Sequence, residues 1–121
     1  MQQATAKRFE DLQVWQKAHS FTLAAYRYSA GFPKTEVYGL MSQLRRAAVS
    51  ISANIAEGFR RRSKVDKARM LNIAQGSLAE VQYYLLLAQD LGYGPSGPLR
   101  QQIDEVGRLL DAYVNAIRSS V

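Results

Sequence analysis

Apolar residues recur three and four positions apart in four long segments of this chain, which is the spacing of one face of an α-helix. The third segment is the most regular, and its apolar positions follow a heptad pattern: Leu71, Ala74, Leu78, Val81, Leu85 and Ala88. No segment shows the alternation of apolar and polar residues that indicates a half-buried β-strand. We predict helices over about residues 11–30, 36–57, 64–91 and 98–118, and therefore an all-α fold.

Residues that cap or break helices separate the four segments. We predict that Thr35 caps the second helix and that Gly58 ends it, because Thr favours the N-cap and Gly the position just after a helix. Ser63 is the predicted cap of the third helix, and Gly92–Pro98 cannot continue that helix. Short connections make consecutive helices antiparallel. The expected architecture is a single domain over residues 1–121, an up-down-up-down antiparallel four-helix bundle.

The composition fits a folded chain and excludes several kinds of protein. At 121 residues, 47% of them hydrophobic, the chain is long enough for one core and too short for two ordinary domains. Cysteine is absent, which excludes disulfides, thiolate metal sites and thiol nucleophiles. The first eight residues lack the apolar core of a signal peptide, and no apolar run approaches the roughly 20 residues of a membrane span. We expect a soluble, cytoplasmic protein that does not bind membranes.

The sequence offers no recognisable catalytic or metal-binding arrangement. His19 is the only histidine, and Gln16 stands where a Glu-x-x-His pair of a di-metal bundle would need a glutamate. Gly92, Gly94 and Gly97 match the spacing of a dinucleotide-binding loop, but they follow a helix instead of a strand and lie among two prolines. We expect no metal, no cofactor and no catalytic residue, and hence a protein that is not an enzyme.

The positive charge of the chain is concentrated in one stretch. Residues 60–69 contain six basic side chains and one acidic side chain, so they carry five of the six net positive charges. A local basic patch indicates an anionic partner, with structured RNA or another polyanion as the first candidates. The predicted RNA-binding residues are Arg60, Arg61, Arg62, Lys64, Lys67 and Arg69, with Arg45 and Arg46 as second-rank candidates.

A purely structural interpretation of the same stretch stays open. Arginines just beyond a helix C-terminus interact favourably with its dipole, which accounts for Arg60, Arg61 and Arg62 without any partner. It does not account for Lys64 and Lys67, because both are predicted in the first turn of a helix, where positive charge is unfavourable. On sequence grounds, those two lysines favour an external anion.

Three nearby residues are predicted to have structural roles. Asn54 falls on the apolar seam of the second helix, where its amide would fix the packing register by bonding to a neighbouring helix. Glu57 can pair with Arg60 or Arg61 one turn further on. Gly58 is the predicted end of the helix, as stated above.

Small side chains on several sides of the second helix permit close backbone approach; they are Ala47, Ala48, Ser50, Ser52, Ala53 and Ala56. Two interpretations are open. The small residues allow tight packing within the bundle, or part of this surface, with Met41, Ala48 and Ile55 facing outward, packs against another subunit. Wide apolar stripes on the first and third helices also leave surface for oligomerisation.

Several motifs give the chain a resemblance to a known family. They are Asp11–Ala18, Tyr38–Ala47, Ser50–Gly58, Ile73–Glu80 and Leu91–Tyr93. They resemble the bacterial four-helix bundle family, whose members are also called intervening-sequence proteins because some are encoded within insertions in the large-subunit ribosomal RNA gene. The resemblance covers about residues 9–93. It departs from the family pattern at Ser52, where proline is usual, and this affects only the local regularity of the helix.

The resemblance implies a homopentamer of bundles around a central channel. It also implies kinship with the accessory variability proteins of diversity-generating retroelements, basic pentamers that bind a reverse transcriptase and its template RNA; Ile103–Leu110 is similar to their last helix. We therefore expect a non-catalytic oligomeric bundle that binds structured RNA or another polyanion through its basic loop. The alternative is a protein-interaction scaffold, such as a retroelement accessory subunit that binds a reverse transcriptase.

Overall fold

A computed structural model describes residues 6–120 and shows four long helices. They are α1 (Gln13–Ser29), α2 (Leu40–Arg60), α3 (Lys64–Asp90) and α4 (Gly97–Ser119). Two 3₁₀ turns, Phe9–Asp11 and Lys34–Glu36, precede α1 and α2, and residues 6–120 contain no β-strand. Contacts join α1 to α2, α2 to α3, α3 to α4, and α4 back to α1. This closed order confirms the predicted all-α four-helix bundle.

The core is built from the apolar stripes that the periodicity predicts. All six heptad positions of α3 are buried, and the fully buried large side chains of the other helices include Phe21, Leu44, Ile51, Ile103 and Leu110. Because α2 packs against both α1 and α3, it buries a wider arc than a single seam. Ala48 and Ile55 are therefore 1% and 0% exposed, and the expectation that they face outward is wrong.

The start of α2 differs from the prediction. The helix begins at Leu40 instead of near residue 36, and Thr35 lies in the separate 3₁₀ turn and does not cap α2. The carboxylate of Glu36 takes the role expected of Thr35, since its Oε1 accepts the N–H of Leu40 at 2.9 Å. The turn that follows Pro33 delays the helix by about one turn, and Glu36 then satisfies a first-turn N–H that would otherwise lack a partner.

Gly58 lies inside α2 and does not end it. The helix continues to Arg60 and ends where Arg61 adopts an extended backbone. A Cβ on Gly58 would lie 3.4 Å from Cγ of Leu71 and from Cβ of Met70. A methyl group would just touch both residues, and a larger side chain at this position would have to displace them, so α2 approaches α3 closely here. The predicted cap of α3 is confirmed, because Ser63 Oγ accepts the N–H of Asp66 at 3.0 Å.

The bundle has two ends of different character. At the tyrosine end, made by residues 26–45 and 84–97, α1 and α3 end and α2 and α4 begin. At the basic end, made by residues 7–13, 57–69 and 117–120, α2 and α4 end and α1 and α3 begin. Within residues 6–120, none of the helices combines the length and the apolar character needed to cross a lipid bilayer.

Candidate nucleic-acid interface

The basic end collects cations from three parts of the chain. Nine of the 16 lysines and arginines lie there, with only four of the ten acidic residues. The nine are Lys7, Arg8, Arg60, Arg61, Arg62, Lys64, Lys67, Arg69 and Arg118. The N-termini of α1 and α3, which are the positive ends of their dipoles, are also at this end. The fold therefore enlarges the basic stretch of the sequence into a basic surface.

The side chain of Lys67 forms hydrogen bonds within the fold. Its ammonium reaches back to the end of α2 and donates to the carbonyl oxygens of Gly58 at 3.2 Å and Phe59 at 2.9 Å. The same nitrogen lies 5.8 Å from the centre of the Phe59 ring. Partial burial lowers the pKa of Lys67 from its usual value. The lysine caps the negative end of α2, so its position in the first turn of α3 has a local structural reason.

Lys64 acts in the same way on a different helix. Its ammonium donates to the carbonyl oxygen of Ser120, just beyond the C-terminus of α4. The sequence argument that local stability does not account for Lys64 and Lys67 is therefore wrong. It considered only the helix that carries each lysine, whereas each side chain reaches the C-terminal carbonyls of another helix. These two cations neutralise the negative ends of α4 and α2.

The arginines of the basic end are more available. Arg61 pairs with Glu57 one turn earlier, as predicted, and Arg69 lies 3.6 Å from Asp66. Both pairs are exposed, and exposed pairs contribute little to stability, so an incoming phosphate can compete for these arginines. Arg60 and Arg62 are exposed and form no ion pair or side-chain hydrogen bond within residues 6–120.

Arg45 and Arg46 lie away from this surface. Arg45 is at the tyrosine end, about 22 Å from Arg60 along α2 at 1.5 Å per residue. Its guanidinium donates to Ser29 Oγ at 2.8 Å and to the carbonyl oxygen of Tyr26 at 3.0 Å, and it stacks 4.6 Å from the Tyr26 ring centre. Arg46 is exposed in a polar groove between α2 and α3. The structure does not bring either residue to the basic loop.

Asn54 has a partner other than the one predicted. Its amide donates to the carbonyl oxygen of Ser50 at 2.8 Å and to Ser50 Oγ at 3.1 Å, both in its own helix. The link to α3 runs through Ser50, whose hydroxyl lies 2.8 Å from that of Ser77. The prediction of a direct bond from Asn54 to a neighbouring helix is wrong. Asn54 is half-buried because α2 turns Ile51 and Ile55, rather than Asn54, fully into the core.

Sequence reasoning missed an apolar groove between α1 and α2, which we call the Trp15 groove. Phe9, Trp15 and His19 line one wall, and Ala53 and Ala56 belong to the other. The rings of Trp15 and His19 are stacked, with centroids 4.9 Å apart and planes 8° from parallel, and Phe9 meets Trp15 edge-on at 5.1 Å. The i, i+4 spacing of Trp15 and His19 was the available signal, since such residues are neighbours on a helix.

Comparison with known proteins identifies relatives of this fold. The family model of the 23S rRNA-intervening sequence protein matches residues 10–112. A crystal structure of a protein of unknown function from the S23 ribosomal protein family of Bacteroides thetaiotaomicron is similar, with a TM-score of 0.77 and 24% identity. The similarity covers 84% of this chain and 95% of that one. No curated protein matches the chain.

Proposed function

This chain belongs to the 23S rRNA-intervening sequence protein family, and we propose that it binds structured RNA through its basic end without catalysing a reaction. The observation that carries the proposal is that some cations of the basic end bond within the fold and others do not. Lys64 and Lys67 neutralise the carbonyl ends of α4 and α2, whereas Arg60 and Arg62 are exposed and uncommitted within the described residues. Guanidinium groups that form no ion pair or hydrogen bond within the protein are suited to contact phosphates.

The electrostatic surroundings favour an anion at the same place. Lys67 and Lys64 bond to carbonyls at the ends of α2 and α4, and the positive N-termini of α1 and α3 lie at this same end, with Asp66 in the first turn of α3. Glu57 and Asp66, the acids nearest the loop, are already paired with Arg61 and Arg69. A phosphate backbone approaching this end therefore meets net positive charge over a broad surface.

Self-association is part of the proposal. Large apolar side chains remain 39–70% exposed on α1 and α3, namely Leu23, Tyr26, Val65, Ile73, Tyr83 and Leu86. Burial of such residues between subunits is favourable, and the resemblance to pentameric relatives suggests five copies. A ring would present five basic ends and convert weak single contacts into useful avidity, provided the RNA reaches several subunits at once. Light scattering at micromolar concentration should give about five times 13.6 kDa, and a monomeric mass would refute the ring.

The RNA proposal is tested by the salt dependence of binding. Filter binding of a structured hairpin RNA at several salt concentrations should give a steep log-log slope, because each neutralised phosphate releases about 0.7 to 0.9 counterions. Changing Arg60, Arg61 and Arg62 together to Ala should flatten the slope by about two to three units per engaged loop.

A variant with the same change in charge provides the control. Lys34, Arg100 and Arg108 are exposed and lie outside the basic end, so their joint replacement by Ala should leave the slope close to that of the wild-type protein. If the curves of the wild-type protein and of the Arg60/Arg61/Arg62 variant superimpose, the arginines are a solvated helix end and the RNA proposal fails.

A further inference from the structure

The Trp15 groove combines a planar aromatic surface with an opening to solvent. Trp15 is half-buried and His19 is exposed, and both rings line the groove. On the opposite wall, Ala53 and Ala56 leave the groove unfilled because their side chains end at Cβ. The groove has a volume of about 340 Å³. Its walls are apolar, so a ligand that fills it must offer a flat or apolar face.

The hydroxyl groups within the groove are already engaged. Thr22 Oγ1 lies 3.1 Å from Ser52 Oγ and 2.9 Å from the carbonyl oxygen of Ala18. Both side chains are more than nine-tenths buried. Because the two hydroxyl groups bond to one another and to the backbone, they have little hydrogen-bonding capacity left for the polar edge of a ligand. A ligand in this groove is therefore held by its face and not by its edge.

The groove leads directly to the basic end. On α2 its wall follows Val49, Ala53 and Ala56, and Arg60 continues the same face one turn beyond Ala56. On the other side, Phe9 packs edge-on against Trp15, and the guanidinium of the preceding Arg8 is paired with Glu10. Arg60 therefore stands at the mouth of an aromatic groove. Proteins that bind single-stranded nucleic acids use this combination of stacking surface and phosphate contacts.

We infer that the Trp15 groove holds an unpaired base of a single-stranded RNA segment, stacked against Trp15 and His19, while the adjoining phosphates contact Arg60 and Arg62. The inference rests on the proposed RNA binding and specifies it, since it requires that the RNA have an unpaired element. Charge complementarity at the mouth of the groove selects this occupant, because RNA carries a negative charge at every phosphate and Arg60 lies where the groove opens.

Two consequences distinguish this mode of binding. Stacking accepts every base because every base has a flat face, so binding should depend on single-strandedness and hardly on sequence. A blunt RNA duplex, whose bases are all paired and stacked on each other, should still bind to the arginines but should leave the groove empty.

The first test uses the fluorescence of Trp15, which is the only tryptophan in the chain. Titration with a single-stranded oligouridine should quench its emission as binding saturates, because a base then lies in contact with the indole. A blunt duplex RNA and inorganic polyphosphate, which supply phosphates without an unpaired base, should bind with little quenching. Equal quenching by all three ligands at saturation would overturn the inference.

The second test fills the groove without touching the core. Ala53 is exposed on the groove wall, and Ala53→Leu should weaken oligouridine binding roughly tenfold, since one stacked base contributes about that much affinity. The affinity for the blunt duplex should stay unchanged. Ala79→Leu, at an exposed position of α3 outside the groove, is the matched control and should bind both RNAs like the wild-type protein.

The outcomes separate this inference from the proposal on which it rests. If RNA binding depends on Arg60, Arg61 and Arg62 but Trp15 is not quenched and Ala53→Leu binds normally, the groove inference is wrong and the RNA proposal stands. If binding does not depend on the arginines, the RNA proposal fails. A Trp15 emission that shifts with protein concentration in the absence of RNA, together with an altered mass of Ala53→Leu, would assign the groove to a second copy and overturn the inference.

Discussion

Arg45 at the tyrosine end and Arg60 at the basic end lie on the same helix, and only one of them is held in place. Arg45 donates to Ser29 and to the carbonyl oxygen of Tyr26 and stacks on the Tyr26 ring. Arg60 is exposed and has no ion pair within residues 6–120. Two residues of the same type, in one helix, thus differ in that one is hydrogen-bonded within the fold and the other is open to solvent.

The two ends of the bundle also differ in how many of their side chains form hydrogen bonds between elements. At the tyrosine end, the Tyr93 hydroxyl donates to Glu36 at 2.6 Å, the Tyr28 hydroxyl donates to the carbonyl oxygen of Gly94 at 2.9 Å, and buried Ser96 donates to the carbonyl oxygen of Leu85 at 3.0 Å. These bonds tie the α3–α4 connection to α1, to the turn before α2 and to the last part of α3. At the basic end, the side chains that bond to the end of another helix within residues 6–120 are Lys64 and Lys67. Hydrogen bonds between polar groups fix the tyrosine end, whereas at the basic end Arg60 and Arg62 form no ion pair within residues 6–120.

The largest effect is expected where the basic end depends on packing. Gly58→Leu places a side chain against Leu71 and Met70, which already lie 3.4 Å from the position of a Cβ. Overpacking of this kind should cost about 3 kcal/mol of unfolding free energy. It should also displace Arg60 to Arg62 and weaken RNA binding. Urea denaturation and filter binding measure the two effects.

Another glycine provides the control for Gly58. Gly76 lies in α3, and a Cβ added there would have no neighbouring atom within 4 Å. Gly76→Ala should raise stability by about 0.5 to 1 kcal/mol, because alanine has the higher helix propensity. A Gly58→Leu protein as stable as the wild-type protein would show that α2 and α3 do not need this close approach.

The next effect compares the two arginines directly. Arg45→Ala removes two charge-assisted hydrogen bonds and a cation–π contact, so it should lower stability by about 2 kcal/mol and leave RNA binding unchanged. Arg60→Ala should do the reverse, with unchanged stability and weaker RNA binding. Thermal denaturation and filter binding on both variants give the two readouts. Equal effects of the two substitutions on stability would remove the distinction between the ends.

The repeated pattern of buried positions made the fold predictable from sequence. In a bundle, the spacing of the apolar residues and the spacing of the buried positions are the same, so the stripe of α3 is buried at every predicted position. The helix ends were less predictable. Glycine serves both as a helix stop and as a point of close approach, and Gly58 was assigned the wrong one of these roles because its neighbours Leu71 and Met70 are distant in sequence.

The candidate site shows the same limit. The sequence located the basic stretch, but Lys64 and Lys67 reach carbonyls of other helices, and this depends on how the helices meet. The Trp15 groove likewise exists only because α1 and α2 lie side by side. Spacing within one helix showed that Trp15 and His19 are neighbours, and it held no information about the opposite wall.

A smaller effect should appear in acid at the tyrosine end. The N–H of Leu40 and the Tyr93 hydroxyl both donate to Glu36 and hold the pKa of its carboxyl below the ordinary value of 4.5. A lowered folded-state pKa contributes stability above pH 4.5 that is lost as the pH falls through the folded-state value. Glu36→Gln should therefore flatten the loss of thermal stability below pH 4.5.

Tyr93→Phe is the companion measurement for Glu36. It keeps the bond from Leu40, which is the larger cause of the lowered pKa of Glu36, so most of the acid dependence should remain. The bond to Glu36 raises the pKa of Tyr93 above 10.0, and the stability it contributes is lost as the pH rises through that raised value. Tyr93→Phe should remove this alkaline loss. Acid profiles of Glu36→Gln and the wild-type protein that coincide would contradict the assignment.

The smallest effect concerns Glu57, the partner of Arg61 in the loop for which RNA binding is proposed. Glu57 pairs with Arg61 at the basic end, and Glu105 lies 3.8 Å from Lys17 elsewhere on the bundle, with similar side-chain exposures of 48% and 45%. Glu57→Gln should free Arg61 for a phosphate and tighten RNA binding about two- to threefold, with little change in thermal stability because exposed pairs contribute little. Glu105→Gln removes the same charge and should leave affinity unchanged. Equal tightening by both variants would mean that net charge alone, and not the arginines of the basic end, governs RNA binding.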